Sequence, residues 1–390
     1  MPEKIKCGVI GAGWWATFAH IPALIAHPLA ELVAIQKRDA SEVQKVADDF
    51  GIPNACTTID ELLAIEGLDA VVVSSSPNMH YEQAALALRH GKHLLIEKPM
   101  TLTTVQALEL QQLASERQRQ LLISCPWHYT PHAPIAQRLV RDGHLGNIRM
   151  ISMLMTNPVS HLIRGISTQP THGTPYIFPE QGTYSDPAVS GAGQIYAQVC
   201  HAAAYIAFLT GLRVAEVFAR FHNDGACLDI YDTLNLKMED GSLVSIASTG
   251  ATSLDRRDFE LRVFGTNGML FLDLWKGFME FHRMSGGCDI YPALNDSEIY
   301  PHEAPAKNLI DSIIDPTQNH SPGRLGVAAM EVIEAACISA RSGKNISVQE
   351  LLIRPDWNEP LFPTLVAKDA ARMGHPNAML SAGPIVRQPK

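Results

Sequence analysis

Ile5-Lys6-Cys7-Gly8-Val9-Ile10-Gly11-Ala12-Gly13-Trp14-Trp15-Ala16 is the stretch whose reading decides the fold. Its first half is a short, largely apolar run of strand character. The second half is G-x-G-x-x-A, and a helical pattern follows at once. Gly11 permits the tight turn out of the strand. Gly13 lets backbone amides approach a pyrophosphate at a helix N-terminus, where the helix dipole favours an anion. Ala16 keeps the helix close to the strand. The pattern predicts a dinucleotide-binding α/β unit that begins with the first strand.

The next segments support that prediction by alternation. Strand patterns over 31–35, 53–57, 68–74, 94–96 and 121–125 are separated by helical patterns over 41–50, 59–65, 79–90 and 103–119. The apolar, β-branched middle of 68–74 suits a strand buried on both faces. The loop Ser75-Ser76-Pro77-Asn78-Met79-His80 leaves that strand at its C-terminal edge, where open parallel sheets bind ligands. A second such edge follows at Leu94-Leu95-Ile96-Glu97-Lys98-Pro99, an apolar run that ends abruptly in an acid, a base and a proline. Beyond the second strand, Gln36-Lys37-Arg38-Asp39 places two cations where an NAD-selective site usually has an acid. Lys37 and Arg38 could neutralise a 2′-phosphate, which favours NADP over NAD. Asp39 could still reach a ribose, so NAD stays open.

The totals exclude several classes. A chain of 390 residues points to two domains. A net charge of −9 without a basic block argues against nucleic acid, and no apolar run reaches the ~20 residues of a membrane span. The seven cysteines are scattered and the sixteen histidines form no HExxH, so no metal is expected. The first strand follows the N-terminus directly, and a cytoplasmic protein with reduced thiols is the expectation.

Four features in order resemble the oxidoreductase family of glucose-fructose oxidoreductase, inositol dehydrogenase and MocA (Gfo/Idh/MocA). They are Gly11-Ala12-Gly13-x-x-Ala16, Ser76-Pro77-Asn78-x-His80, Glu97-Lys98-Pro99 and Gly143-x-Leu145-Gly146. The resemblance implies a Rossmann domain, 1–126, and then an α/β domain, 127–352, on a large, mostly antiparallel open sheet. An extended tail, 353–390, would follow. It also implies NAD(P)-dependent oxidoreduction of a sugar, glycoside or polyol alcohol, a cis Lys98-Pro99 peptide, and a homodimer or homotetramer built on the outer face of the second sheet. Lys98 is implied as the acid/base. Gly11, Gly13, Trp14, Trp15, Lys37, Arg38, Ser75, Pro77, Asn78, His80, Glu97 and Lys98 are expected around the cofactor.

The Gly191-Ala192-Gly193 stretch resembles the family's loop into the helix facing the nicotinamide. His201 matches the family histidine there, but Ala197 stands where the family carries an aspartate. Gln194 and Gln198 share the face of His201 on an ideal helix, and with His128 and Tyr129 they are expected to meet substrate. The long irregular stretch 157–190 holds His161, Arg164, Tyr176 and Tyr184, and is expected to cover the substrate cleft or reach a neighbouring subunit. Two other functions fit the same residues. One is glycoside cleavage by oxidation and elimination with a retained cofactor, and the other is a non-catalytic dinucleotide or sugar sensor, which Ala197 favours and the intact Glu97-Lys98-Pro99 disfavours.

Overall fold

A computed structural model describes residues 3–169, 175–253 and 256–351. The expected tail, 353–390, lies outside the described residues. Six strands form the first sheet: β1 Ile5–Ile10, β2 Ala30–Gln36, β3 Asn54–Cys56, β4 Ala70–Val73, β5 His93–Ile96 and β6 Leu121–Ile123. All pair in parallel, in the order β3-β2-β1-β4-β5-β6. This is the doubly wound order, and the chain reverses direction across the sheet between β1 and β4. The loops after those two strands therefore part and leave a crevice. Gly11 holds φ +84° at its rim, and a Cβ there would come within 2.6 Å of the Ser75 nitrogen. Only glycine fits this approach of the two loops.

The second sheet has nine strands. They are β7 Ile148–Thr156, β8 Val214–His222, β9 Tyr231–Met238, β10 Leu243–Thr249, β11 Asp258–Gly265, β12 Gly268–Asp273, β13 Phe278–Arg283, β14 Cys288–Tyr291 and β15 Ile346–Ser347. Their order is β14-β13-β12-β11-β7-β10-β9-β8-β15. Only β7 and β10 run parallel; every other pair is antiparallel. Strand β9 alternates exposed and buried without exception, as a sheet with one covered face requires. The helices Cys200–Thr210 and Gly323–Ser342 cover that face, and both are buried along most of their length.

The long helix Gly323–Ser342 also joins the two sheets. Ile123 in β6 donates to the Ser321 carbonyl at 2.9 Å, and the buried Glu334 carboxylate accepts from the Thr104 amide at 2.6 Å. At Gly326 a Cβ would meet Met100 Sδ at 2.5 Å, so the helix lies directly on the segment after β5. One apolar cluster accordingly runs from Ile96 and Met100 through Trp127 and Tyr196 to Phe259 and Met330. The two sheets thus share one apolar core.

Candidate active site

Two strand ends and one helix bring the chemistry together. Strand β5 delivers Glu97, and the Lys98-Pro99 peptide is cis. Lys98 Nζ donates to the Ala197 carbonyl at 2.9 Å, bridging from the first domain to the second. His201 lies on the same cleft, buried, with its ring edge-on to Trp127 at 5.0 Å. Burial above all, then the Lys98 and His128 charges, hold the His201 imidazole well below its ordinary pKa. His201 is therefore neutral at neutral pH, and its Nδ1 has no partner among the described residues.

Glu97 is engaged elsewhere. Its Oε1 pairs with His20 Nε2 at 2.8 Å, and its Oε2 accepts from the Lys98 amide at 3.1 Å. Burial pushes the Glu97 carboxyl up, but the His20 hydrogen bond and charge, the Lys98 charge and a Ser124 hydrogen bond together outweigh it, and the net direction is down. A buried carboxylate with these partners fixes the backbone that carries Lys98. His20 ends the first helical turn after the glycine loop and was not foreseen. His80 plays a similar tethering part. Its ring nitrogens meet the Pro99 carbonyl at 2.8 Å and the Ser75 carbonyl at 3.0 Å, tying the two loop edges together.

The remaining expected residues divide. Trp14, Trp15, Ser75, Pro77, Glu97 and His80 line the cleft, and so does Gln198. Gly11, Gly13, Lys37 and Arg38 line a groove that continues from it, sharing Trp14, Trp15, Ser74, Ser75, Thr183 and Tyr184. Asn78 is exposed and faces neither. His128 lies outside the cleft: Nδ1 meets Ser321 Oγ at 2.8 Å, and its ring stacks on Phe208 at 4.7 Å. Burial pushes its pKa down to about 3. Tyr129 hydrogen-bonds Asn308 at 3.1 Å, also away from the cleft. Gln194 is fully buried and donates to Ser248 Oγ at 2.9 Å.

The helix itself explains Gln194. Residues Ile195–Val199 form a π-turn before the α-helix Cys200–Thr210 begins. A π-turn is wider than an α-turn, so the phase between Gln194 and His201 slips from the ideal face. Ala197, Gln198 and His201 reach the cleft and Gln194 does not. Tyr184 lines the cleft from the stretch expected to cover it, and four further cleft residues had no distinct sequence signal: Asn157, which donates to Gln198 Oε1 at 3.1 Å, and Trp127, Ser190 and Tyr300. Trp127 adjoins the chosen His128 but points the other way from the short 3₁₀ turn Pro126–Tyr129.

The segment 175–184 covers more than a substrate cleft. Ile177, Phe178, Pro179 and Glu180 line the groove opposite Gly11 and Lys37. Lys37 is not a free cation there. Its Nζ pairs with Glu42 at 2.6 Å and faces Glu180 at 3.8 Å.

The groove fits a dinucleotide. The glycine turn leaves no side chain between the Ser74-Ser75 loop and the helix N-terminus, and the first amides of a helix have no acceptor within it. Among the described residues no helix is long and apolar enough to cross a membrane. At the far sheet edge Glu280, His282 and Cys288 place three potential ligand atoms within 4.8 Å of one another, although no metal was expected.

The comparisons with known proteins agree with the fold and the groove. The model of the oxidoreductase family with an NAD-binding Rossmann fold (GFO/IDH/MocA) matches residues 5–124, and that of the GFO/IDH/MocA C-terminal domain matches 135–271. The chain belongs to the GFO/IDH/MocA oxidoreductase family. An uncharacterized oxidoreductase of Synechocystis is 36% identical over 150 residues, 38% of this chain and 40% of that protein. The dTDP-3,4-didehydro-2,6-dideoxy-alpha-D-glucose 3-reductase of Streptomyces antibioticus is 34% identical over 160 residues, 40% of this chain and 48% of that protein. The match thus spans less than half the length of either relative. A solved levoglucosan dehydrogenase, in complex with NADH and levoglucosan, shares the fold with a TM-score of 0.75 at 15% identity, over 89% of this chain and 100% of that one.

Proposed function

We propose that this protein is an NAD(P)-dependent oxidoreductase acting on a secondary alcohol of a sugar, glycoside or polyol, with Lys98 as the acid/base. The observation that carries the reading is the continuity of the Gly11–Lys37 groove with the cleft where Lys98 and His201 meet. Gly11, Gly13, Trp14, Ser75 and Arg38 would hold the dinucleotide. When bound, its nicotinamide supplies the hydride acceptor or donor. Lys98 Nζ takes the hydroxyl proton as the alcohol is oxidised and returns it in reduction. The Ala197 carbonyl, not a carboxylate, positions that amine. Neutral His201 and the Gln198–Asn157 amide pair orient the substrate hydroxyls. Trp127, Tyr184 and Tyr300 offer aromatic faces to the C–H surface of a sugar ring.

The sugar-related relatives support this substrate class. The NADP expectation rested on Lys37 and Arg38, and the two carboxylate neighbours of Lys37 weaken its half of that premise. A second reading, oxidation and elimination of a glycoside with the cofactor retained, is favoured by the chain segment over the groove. One experiment tests the proposal and separates these readings. Sugars, glycosides and polyols are offered with NAD and NADP, and nicotinamide absorbance and product mass are followed. Net cofactor reduction with an oxidised product is expected. Glycoside cleavage without net cofactor change would establish the second reading, and ligand binding without any turnover would leave a sensor.

A further inference from the structure

We propose that Glu180 supplies the ribose-recognising carboxylate that the end of β2 lacks, and so selects NAD over NADP. The proposal rests on the dinucleotide-binding reading above. In doubly wound sheets an acid just beyond the second strand accepts from the ribose hydroxyl. Here β2 ends at Gln36, whose side chain donates to the Thr57 carbonyl at 3.0 Å. The first acid after it, Asp39, is already used. Its Oδ1 accepts from Ser41 Oγ at 2.6 Å and from the Glu42 amide at 2.9 Å, capping the helix Ala40–Phe50. Asp39 does not line the groove; Glu180 does, from a segment of the second domain.

The segment that carries Glu180 is docked on the first domain. Tyr176 packs edge-on against Phe50 at 5.3 Å, and its hydroxyl accepts from Lys45 Nζ at 2.9 Å and donates to Asp49. Ile177 packs on the apolar cluster under the helix Ala40–Phe50. Glu180 is thereby held at the Lys37 end of the groove, 3.8 Å from Lys37 Nζ, with its carboxylate largely exposed. A 2′-hydroxyl at that end can donate to this carboxylate. A 2′-phosphate carries a charge of about −1.5 to −2 and only accepts. It would meet Glu180 and Glu42 and would have to displace one of them from Lys37. Among the described residues lining the groove, Arg38, exposed, is the cation left to offset that repulsion.

Calorimetric titration with NAD and NADP at fixed salt tests this without any substrate. The wild type is expected to bind NAD at least about tenfold more tightly, the scale of one hydrogen bond to a charged group. Glu180→Gln should weaken NAD, strengthen NADP, and shrink the ratio by about tenfold. Glu180→Lys should invert it. Because Glu180 is exposed, these variants should fold, and an unchanged circular dichroism spectrum checks that they do. A wild type that binds NADP more tightly, or a ratio that Glu180→Gln leaves unchanged, overturns the proposal while leaving dinucleotide binding intact. A wild type that binds neither dinucleotide overturns both this proposal and the functional reading beneath it.

Discussion

At Lys98 the chain solves a positioning problem with unusual material. The family pattern sets an aspartate one helical turn before the histidine, and here Ala197 offers only its backbone oxygen. A carbonyl can aim an ammonium but cannot carry away its proton. His201 is neutral and buried, so it can orient a hydroxyl without adding charge beside Lys98. His201→Ala is therefore expected to raise KM more than it lowers kcat, and Lys98→Arg to leave little activity, because guanidinium does not deprotonate near neutral pH. Steady-state kinetics on an identified substrate check both. A kcat loss in His201→Ala as large as in Lys98→Arg would instead make His201 part of the proton path. Lys98, Trp14 and Trp15 could be placed at the site from sequence because each sits in or beside a motif at a strand end. Trp127 and Tyr300 could not, since they come from separate segments joined only by the tertiary fold. Glu180 is the same case, as its partner Lys37 lies far earlier in the chain.

Among the elements, the long strands and helices were legible because their periodicity extends over many residues. The pattern over 79–90 was off at both ends: the helix is Pro77–Arg89, with Pro77 at the first helical position, where its absent N–H costs nothing, and His90 already its C-cap. Strands β14 and β15 are too short to show a period and went unread. The π-turn at Ile195–Val199 also has no sequence signature, which is why Gln194 was placed on the wrong face. That turn is held by a buried acid. Asp229 Oδ1 accepts from the Gly193 amide at 2.8 Å and Oδ2 from the Ile195 amide at 2.7 Å. A Cβ at Gly193 would lie 2.1 Å from the Asp229 carbonyl oxygen, so the loop must be glycine there. Asp232 is buried beside Asp229, and burial first, then the Asp229 charge, push its carboxyl well up. The folded state thus keeps a proton that the unfolded chain releases above about pH 3.9. Rising pH then costs the wild type up to about 1.4 kcal/mol per pH unit, until the folded carboxyl ionises too. Asp232→Asn lacks this term. Its Tm should match the wild type near pH 4 and pull ahead of it as the pH rises from there. A Tm difference that stays constant or shrinks as pH rises would show that Asp232 is not held protonated.

Over the whole molecule, the functional cleft exists only because the two sheets meet. Lys98 comes from the first sheet and Ala197, Gln198 and His201 from the helix covering the second. The helix Gly323–Ser342 and the shared apolar cluster hold these halves together. The parallel first sheet was legible from strand–helix alternation, and the mostly antiparallel second sheet from the family resemblance alone. The way they dock was not, because Gly326 against Met100 and Glu334 against Thr104 are contacts between distant segments. The proposed function is that this junction performs hydride transfer with Lys98 moving the proton. The most direct measurement compares wild type and Lys98→Ala on the first sugar, glycoside or polyol that turns over, each saturated with the preferred dinucleotide. Equal dinucleotide affinity and a loss of ~10²–10⁴-fold in turnover are expected for the variant. Turnover by Lys98→Ala at near the wild-type rate would contradict it.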